Sequence, residues 1–446
     1  MSQPKLDELA NRALSIATDI AKKDGQPKAE IKVDVVRNAS ANVRFARNEV
    51  TTSGSSDEVT ISLYIALGQK HASTSINQAD DSSIRALAMR ALQMAKLSPD
   101  DPEHMPLVGA QTYAKTPSAY DEATATMAPG DRAAIAARAI KQGDAAKVQI
   151  AGFFERGFEM KAIRSSSGLT ASHEESSLHY TVTARTDDGT GSGWAGREAS
   201  KTSELDDEAL AKTAIDKGVK SAKPKPLAPG KYTVILEPQA VGEMLHFMVG
   251  QMDQRTADEG RSFFAKKAGE KLFADMVTLK SDPTDPLTPG APFDPEGLAL
   301  KPHVWIENGK VKDLYVSRYW GQKTNKPPTG SHASYVLAGG TAASIDELVK
   351  GTKRGLLVTR FWYNRMLEPQ TIMITGLTRD GIFLVENGKV TGPVANFRYN
   401  ESPVNVLKRV DAMTKETWRV ISYGGHWRVP ALRTHEFTMA SPSAAV

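Results

Sequence analysis

Residues 223–230, Lys-Pro-Lys-Pro-Leu-Ala-Pro-Gly, place three prolines in one short run near the middle of the chain. Proline fixes φ and removes a backbone donor, so this run is stiff and poor in helix or sheet hydrogen bonds. The chain has 446 residues, more than one hydrophobic core usually supports. A stiff break in a chain of this length predicts two units: an N-terminal α+β domain over 1–222, a Pro-rich linker over 223–230, and a C-terminal β-rich core domain over 231–446.

Hydrophobic periodicity fills in each half. Leu6, Leu9, Ala10, Ala13, Ile16, Ala17 and Ile20 recur at helical spacing and predict a helix over 5–23 with one buried face. From Ala29 to Ser75, β-branched runs alternate with polar turns such as Arg47-Asn-Glu, the pattern of an antiparallel meander. Asp80-Asp-Ser-Ser then supplies capping chemistry for a helix over 84–97 that covers the sheet. Residues 98–121 read as an irregular connection, 129–142 as a helix, 146–199 as strands and 206–222 as a helix.

Beyond the prolines, Lys231–Glu237 reads as a strand, and Pro238 suits the first turn of a long helix reaching Asp258. The remainder is mostly short strands, at 301–307, 311–315, 355–363, 371–377, 382–385 and from 390 onward. Asn308-Gly309 and Asn387-Gly388 carry the dipeptide that type I′ hairpins favour. The expected fold class is therefore α+β: an N-terminal sheet with covering helices, and a mostly antiparallel C-terminal domain carrying one long helix.

Charge and composition remove several function classes. Fifty-six Lys and Arg against 52 Asp and Glu leave a net charge of +4, far from the clustered basic surface of a dedicated nucleic-acid binder. No direct nucleic-acid partner is expected. The first residues run into an amphipathic helix pattern rather than a basic and then apolar leader, and no long uncharged apolar run occurs. A cytoplasmic location without membrane contact is the expectation. The absence of cysteine excludes disulfides and thiolate ligands.

Several residues have the right type for chemistry. Glu243 and His246, three apart on the predicted helix, share a face; Glu-x-x-His pairs bind metals in four-helix bundles when two copies and further carboxylates are present, and one copy occurs here. His173, Glu175 and His179 share one face of a strand by their period of two, as polar strand faces often do. His426 and His435-Glu436 lie near the end of the second half, the latter without the second histidine of a His-Glu-x-x-His motif. No Gly-x-Ser-x-Gly elbow and no phosphate-cradling Walker sequence is found. The acidic run at Asp282 lacks the closing glutamate of a calcium loop. Trp320 to Gly330 reads as a long polar surface loop that could border a peptide cleft or a partner, and Arg360-Phe-Trp-Tyr-Asn-Arg365 offers interface anchors or core packing on a strand.

Four landmarks in order carry a family resemblance: Asp258-Glu-Gly-Arg-Ser-Phe-Phe264, Gly355-Leu-Leu-Val-Thr-Arg-Phe361, the hairpin from Thr375 to Arg398, and Tyr423-Gly-Gly-His-Trp-Arg-Val-Pro430. In this set the chain resembles the TldD/PmbA family of metallopeptidases. The catalytic TldD branch carries a His-Glu-x-x-x-His motif shortly before the Gly-x-Ser-x-Phe segment and a Cys-Gly before the final Val-Pro. Those positions fall here on Leu245, His246 and Gly250, and on Tyr423. Leu and Gly have no side-chain donor, whereas a catalytic zinc needs three protein ligands and an open position.

The resemblance therefore implies the noncatalytic PmbA/TldE branch. No catalytic or metal residue is expected in this chain, and a TldD-like partner would supply the zinc and the general base in a heterodimer acting on unfolded or precursor peptides. Glu243, His246, Arg261, Trp320, Asn325, Arg360 and His426 are the candidate peptide or partner contacts. An extended peptide is expected to pair with a sheet edge. Three other readings stay open: a self-sufficient metallopeptidase with a relocated site at Glu243, His246 and His426, a homodimeric regulatory or peptide-binding protein, and the historical family label of modulator of DNA gyrase taken literally.

Overall fold

The computed structural model of the chain describes residues 2–422 and 424–444. In the first half, α1 (Gln3–Lys23) leads into β1 (Glu30–Ala46), β2 (Glu49–Leu67) and β3 (Lys70–Ile76). Then come α2 (Asp81–Leu97), α3 (Glu122–Ala125), α4 (Pro129–Ala146), β4 (Val148–Ser165), β5 (Thr170–Thr186), β6 (Ser192–Ala199) and α5 (Asp207–Lys220). The six strands form one antiparallel sheet in the order β3-β2-β1-β4-β5-β6.

One face of this sheet carries two cores, covered by different helices. On β1, Ile31, Val33 and Val35 lie under α1 and α2, while Val43 and Phe45, on the same face, belong to the cluster packed by α4 and α5. Asp80 caps α2 by accepting from the Ser83 N–H at 2.9 Å, as its sequence position predicts. The opposite face is polar and half-buried, and cross-strand register sets Glu159 beside Glu175 and Glu155 beside His179.

The second half starts with β7 (Gly230–Leu236), α6 (Pro238–Val249), α7 (Gln254–Asp258), β8 (Thr278–Ser281), β9 (His303–Glu307), β10 (Lys310–Val311) and α8 (Arg318–Thr324). It continues through β11 (Ser334–Ala338), α9 (Ile345–Lys350), β12 (Arg354–Glu368), β13 (Met373–Glu386), β14 (Lys389–Pro393) and β15 (Phe397–Glu401). The last elements are α10 (Pro403–Lys408), β16 (Val410–Met413), β17 (Trp418–Val420), β18 (His426–Val429) and β19 (Leu432–Pro442).

One sheet runs β10-β9-β8-β11-β18-β17. The other runs β12-β7-β19-β15-β13-β14, with β16 on β19, and β13 also pairs with β12. Those pairings close β12, β7, β19, β15 and β13 into a ring filled by the aromatic rings of Phe361 and Phe437, which stack, and of Tyr399, tilted against both. Ala240, Val241, Met244, Leu245 and Met248 of α6 bury into the same core. Both Asn-Gly turns adopt the positive φ angles of a type I′ hairpin, with Asn308 at 47° and Gly309 at 78°, and Asn387 at 50° and Gly388 at 76°.

The structure departs from the sequence expectation at several elements; the strands expected at 371–377 and 382–385 are one strand, β13. The long helix to Asp258 is two helices: α6 stops at Val249, and Asp253 accepts from the Thr256 N–H at 2.7 Å to cap α7. Backbone pairing between Met252–Gln254 and Tyr315 holds the break open. The stretch from Trp320 begins as helix α8, capped by Ser317 and closed by Asn325 at φ 56°, rather than as a loop. The strand expected over 311–315 shrinks to Lys310–Val311, because Lys312 and Asp313 bond back to the Trp305 carbonyl. The proline run is itself tied down, with the Lys225 N–H donating to the Pro393 carbonyl at 3.1 Å and its carbonyl accepting from Ala395 at 2.9 Å.

Candidate functional site

Helix α6 carries the positions where the resemblance places a metal motif. Leu245 points into the apolar core and is 2% exposed. Gly250 follows the last turn, its N–H donating to the His246 carbonyl at 3.1 Å. His246 is exposed, its ring edge-on to Phe247 and 6.4 Å from Trp427. Tyr423 lies outside the described residues. A zinc ion does not fit these positions, because Leu245 and Gly250 offer no donor and the isobutyl group is part of the packing. Among the described residues, no group of three or more His, Asp or Glu side chains is placed to hold a metal ion.

Glu243, three residues before His246 on the same helix, makes different contacts. Its carboxylate is buried, accepts from Gln239 Nε2 at 3.0 Å and the Phe361 N–H at 2.7 Å, and lies 3.8 Å from Arg360 Nε. Burial pushes this carboxyl up to about 7, against the pull of Arg360 and Gln239. The Gln239 amide also bridges to the Ile421 backbone, with Nε2 donating to the carbonyl at 2.9 Å and Oε1 accepting from the N–H at 3.1 Å. Glu243 is thus engaged in joining α6, β12 and the end of β17.

The polar face of the first sheet brings together residues from both halves. His426 on β18 sets Nδ1 at 2.7 Å from Glu198 on β6, while Nε2 is 3.7 Å from Glu175 on β5. His173 Nε2 stands 3.3 Å from the same Glu175 oxygen. Arg419 donates to Glu198 at 3.0 Å and to Ser200 Oγ at 2.5 Å. Burial opposes charge on His426, but Glu175 and Glu198 outweigh it and push the imidazole up to about 9. Burial also opposes charge on the two carboxylates, and His173 and His426 at Glu175, and His426 and Arg419 at Glu198, hold them below the usual range.

These charges fix His426 as an imidazolium at neutral pH, clamped between carboxylates and unsuited to accept a proton. His179, on the same sheet face, is pushed the other way by burial and stays neutral, its ring edge-on to Phe153. Glu155 and Glu159 are raised by burial, Glu159 also by Glu175. The strand-face expectation for His173, Glu175 and His179 therefore holds as geometry. Glu198 and Arg419, which complete the clamp, do not stand out in the sequence; the only signal for Glu198 is its place in the Gly-rich strand after Asp187.

The remaining candidate contacts scatter. Arg261 is exposed and pairs with Glu259 next to the Gly260 turn. Trp320 donates from Nε1 to Asp258 at 2.7 Å and is 7% exposed, so it anchors α8 to α7. Asn325 closes α8. Arg360 lies between the Trp194 and Trp362 rings, at 4.6 and 5.2 Å. Glu243, His246 and His426, the relocated ligand set of the self-sufficient reading, are engaged in three different environments.

Comparison with known proteins gives family matches in both halves of the chain. A family model described as the PmbA/TldA metallopeptidase C-terminal domain matches residues 229–441, and the model for metallopeptidase domain 1 of that family matches 32–95. A metalloprotease of Methanocaldococcus jannaschii is 27% identical over 233 residues, 48% of this chain and 50% of that protein, so the match spans about half of the relative's length. A metalloprotease PmbA homologue of Haemophilus influenzae is 25% identical over 431 residues, covering 91% of each. The solved TldE of Thermococcus kodakarensis superposes with a TM-score of 0.87 at 18% identity, over 95% of this chain and all of that one, which shows a shared fold. By its two matched domains and its fold, the chain belongs to the TldD/PmbA family.

Proposed function

We propose that this chain is the noncatalytic subunit of a TldD/TldE-type peptidase complex acting on unfolded or precursor peptides, with the metal and the general base supplied by a TldD-like partner. The observation that carries the reading is the use of Leu245 as core and Gly250 as helix end, which leaves the two ligand positions of a zinc motif on α6 without a side-chain donor. The half-buried polar face of the first sheet, where His426 of the second half meets Glu175 and Glu198, supports a role in holding peptide. On this reading the domain border falls at 223–230, between domains over 1–222 and 231–446, and the complex works in the cytoplasm. No helix among the described residues is long and apolar enough to cross a membrane.

The test is cleavage of an unfolded peptide by this chain alone, by a TldD-like protein from the same source alone, and by the two mixed. Cleavage by the mixture that exceeds either protein alone is expected. Chelator-sensitive cleavage by this chain alone overturns the assignment.

A further inference from the structure

A cavity of about 370 Å³ opens where the β1–β2 turn and the ends of β4 and β5 meet the hairpin of β12 and β13. Its wall carries four guanidinium groups, from Arg47, Arg185, Arg360 and Arg379, against one carboxylate, Asp380. The hairpin is irregular here: Arg360 pairs with Arg379 while Val358 pairs with Ile382, so Thr359 faces two residues, Asp380 and Gly381, both at positive φ (57° and 113°). Such a bulge re-aims the side chains beside it. The outcome is that Arg360 and Arg379 both lie over the Trp362 indole, at 5.2 and 4.9 Å.

Arg360 is the telling residue. Its side chain is only 13% exposed, its Nε is shielded from solvent without a hydrogen-bond partner, and its nearest carboxylates, Glu243 and Asp380, stand 3.8 and 4.0 Å away. Asp380 already accepts from Ser192 Oγ at 2.6 Å. Like charges gathered in a partly dry cavity repel strongly, and planar guanidinium forks match carboxylate oxygens. The rim adds apolar contact at Trp362 on β12, which is 39% exposed. A small free anion makes no use of that rim, whereas a peptide does. The floor residues Gln149, Ala151 and Thr183 continue the polar face of the first sheet, along which an extended chain could reach the cavity.

We propose that this cavity binds the clustered carboxylates of an acidic peptide segment. The inference rests on the peptide-processing reading above and names a substrate feature for it. Its measurement is fluorescence anisotropy with two dye-labelled peptides, identical except that a run of glutamates in one is replaced by glutamines in the other, titrated with the full chain. The glutamate peptide should bind at least about tenfold more tightly, as one or two charge-assisted hydrogen bonds imply. That advantage should shrink at high salt. It should also vanish in the Arg47→Asn/Arg379→Gln double variant, whose loss of glutamate-peptide affinity should exceed any loss for the glutamine peptide. Arg47→Asn alone, on an exposed turn whose φ of 53° asparagine tolerates, gives a partial loss and serves if the double variant does not fold. Equal affinity for both peptides overturns the inference and leaves the peptide reading standing. Failure of both peptides to bind, alone or with the partner present, overturns both. Inorganic tripolyphosphate that binds through the same arginines, with no preference between the peptides, overturns the peptide occupant.

Discussion

His426 shows how one side chain can hold two parts of a protein together through its charge. Its imidazole normally titrates near 6.5 and is held near 9 between Glu198 and Glu175. A histidine whose folded value is raised contributes stability that is full below the unfolded value and is lost as pH rises through the folded one. Wild-type stability, measured by urea denaturation, should therefore fall between pH 6.5 and about 9. His426→Gln should flatten that fall and cost about 3 kcal/mol below pH 6.5, the scale for removing one partner of a buried ion pair. A variant with the same pH slope as wild type would remove His426 from the account. Residue type marks His426 in the sequence, and period-two alternation marks His173 and Glu175, but the Glu198 partner lies 228 positions away, and no local pattern encodes such a pairing.

At the scale of elements, local chemistry is legible where it acts within a few residues. The Asp80 cap, the Asn-Gly hairpins and the apolar stripe of α1 all follow from short-range rules. Helix α6 reads as too long in the sequence because its apolar pattern runs past Gly250, which hides the Asp253 cap that restarts the helix. Ser317 and Asn325 bracket α8 as a cap pair, a signal outweighed by the polar composition of the segment. Gly242 illustrates a constraint that sequence hides: a Cβ there would stand 2.6 Å from Val420 Cγ2, so glycine is what lets β17 lie on α6. Gly242→Val should destabilise by about 1–3 kcal/mol, the usual cost of overpacking, and thermal denaturation checks it. Unchanged stability would mean that β17 is loosely seated.

At the scale of the molecule, the two halves meet through polar and aromatic contacts as much as through apolar burial. Arg255 forms a two-armed pair with Glu103 at 2.7 Å, Lys217 meets Glu237 at 2.5 Å, and Arg360 packs on Trp194. Sequence periodicity predicts the α+β class, but not the ring closed by β12 and β13 or the six-stranded sheet ending in β17, because both depend on strands far apart in the chain. The arginine cavity depends on that long-range assembly, which sets the hairpin of β12 and β13 against the first sheet. The central claim concerns the whole molecule: this chain leaves metal chemistry to a partner. Elemental mass spectrometry on the purified chain, alone and co-purified with a TldD-like protein, tests it most directly. Zinc in the mixed complex and none in the isolated chain is the predicted result, whereas about one zinc per isolated chain, the stoichiometry of a mononuclear site, would contradict it.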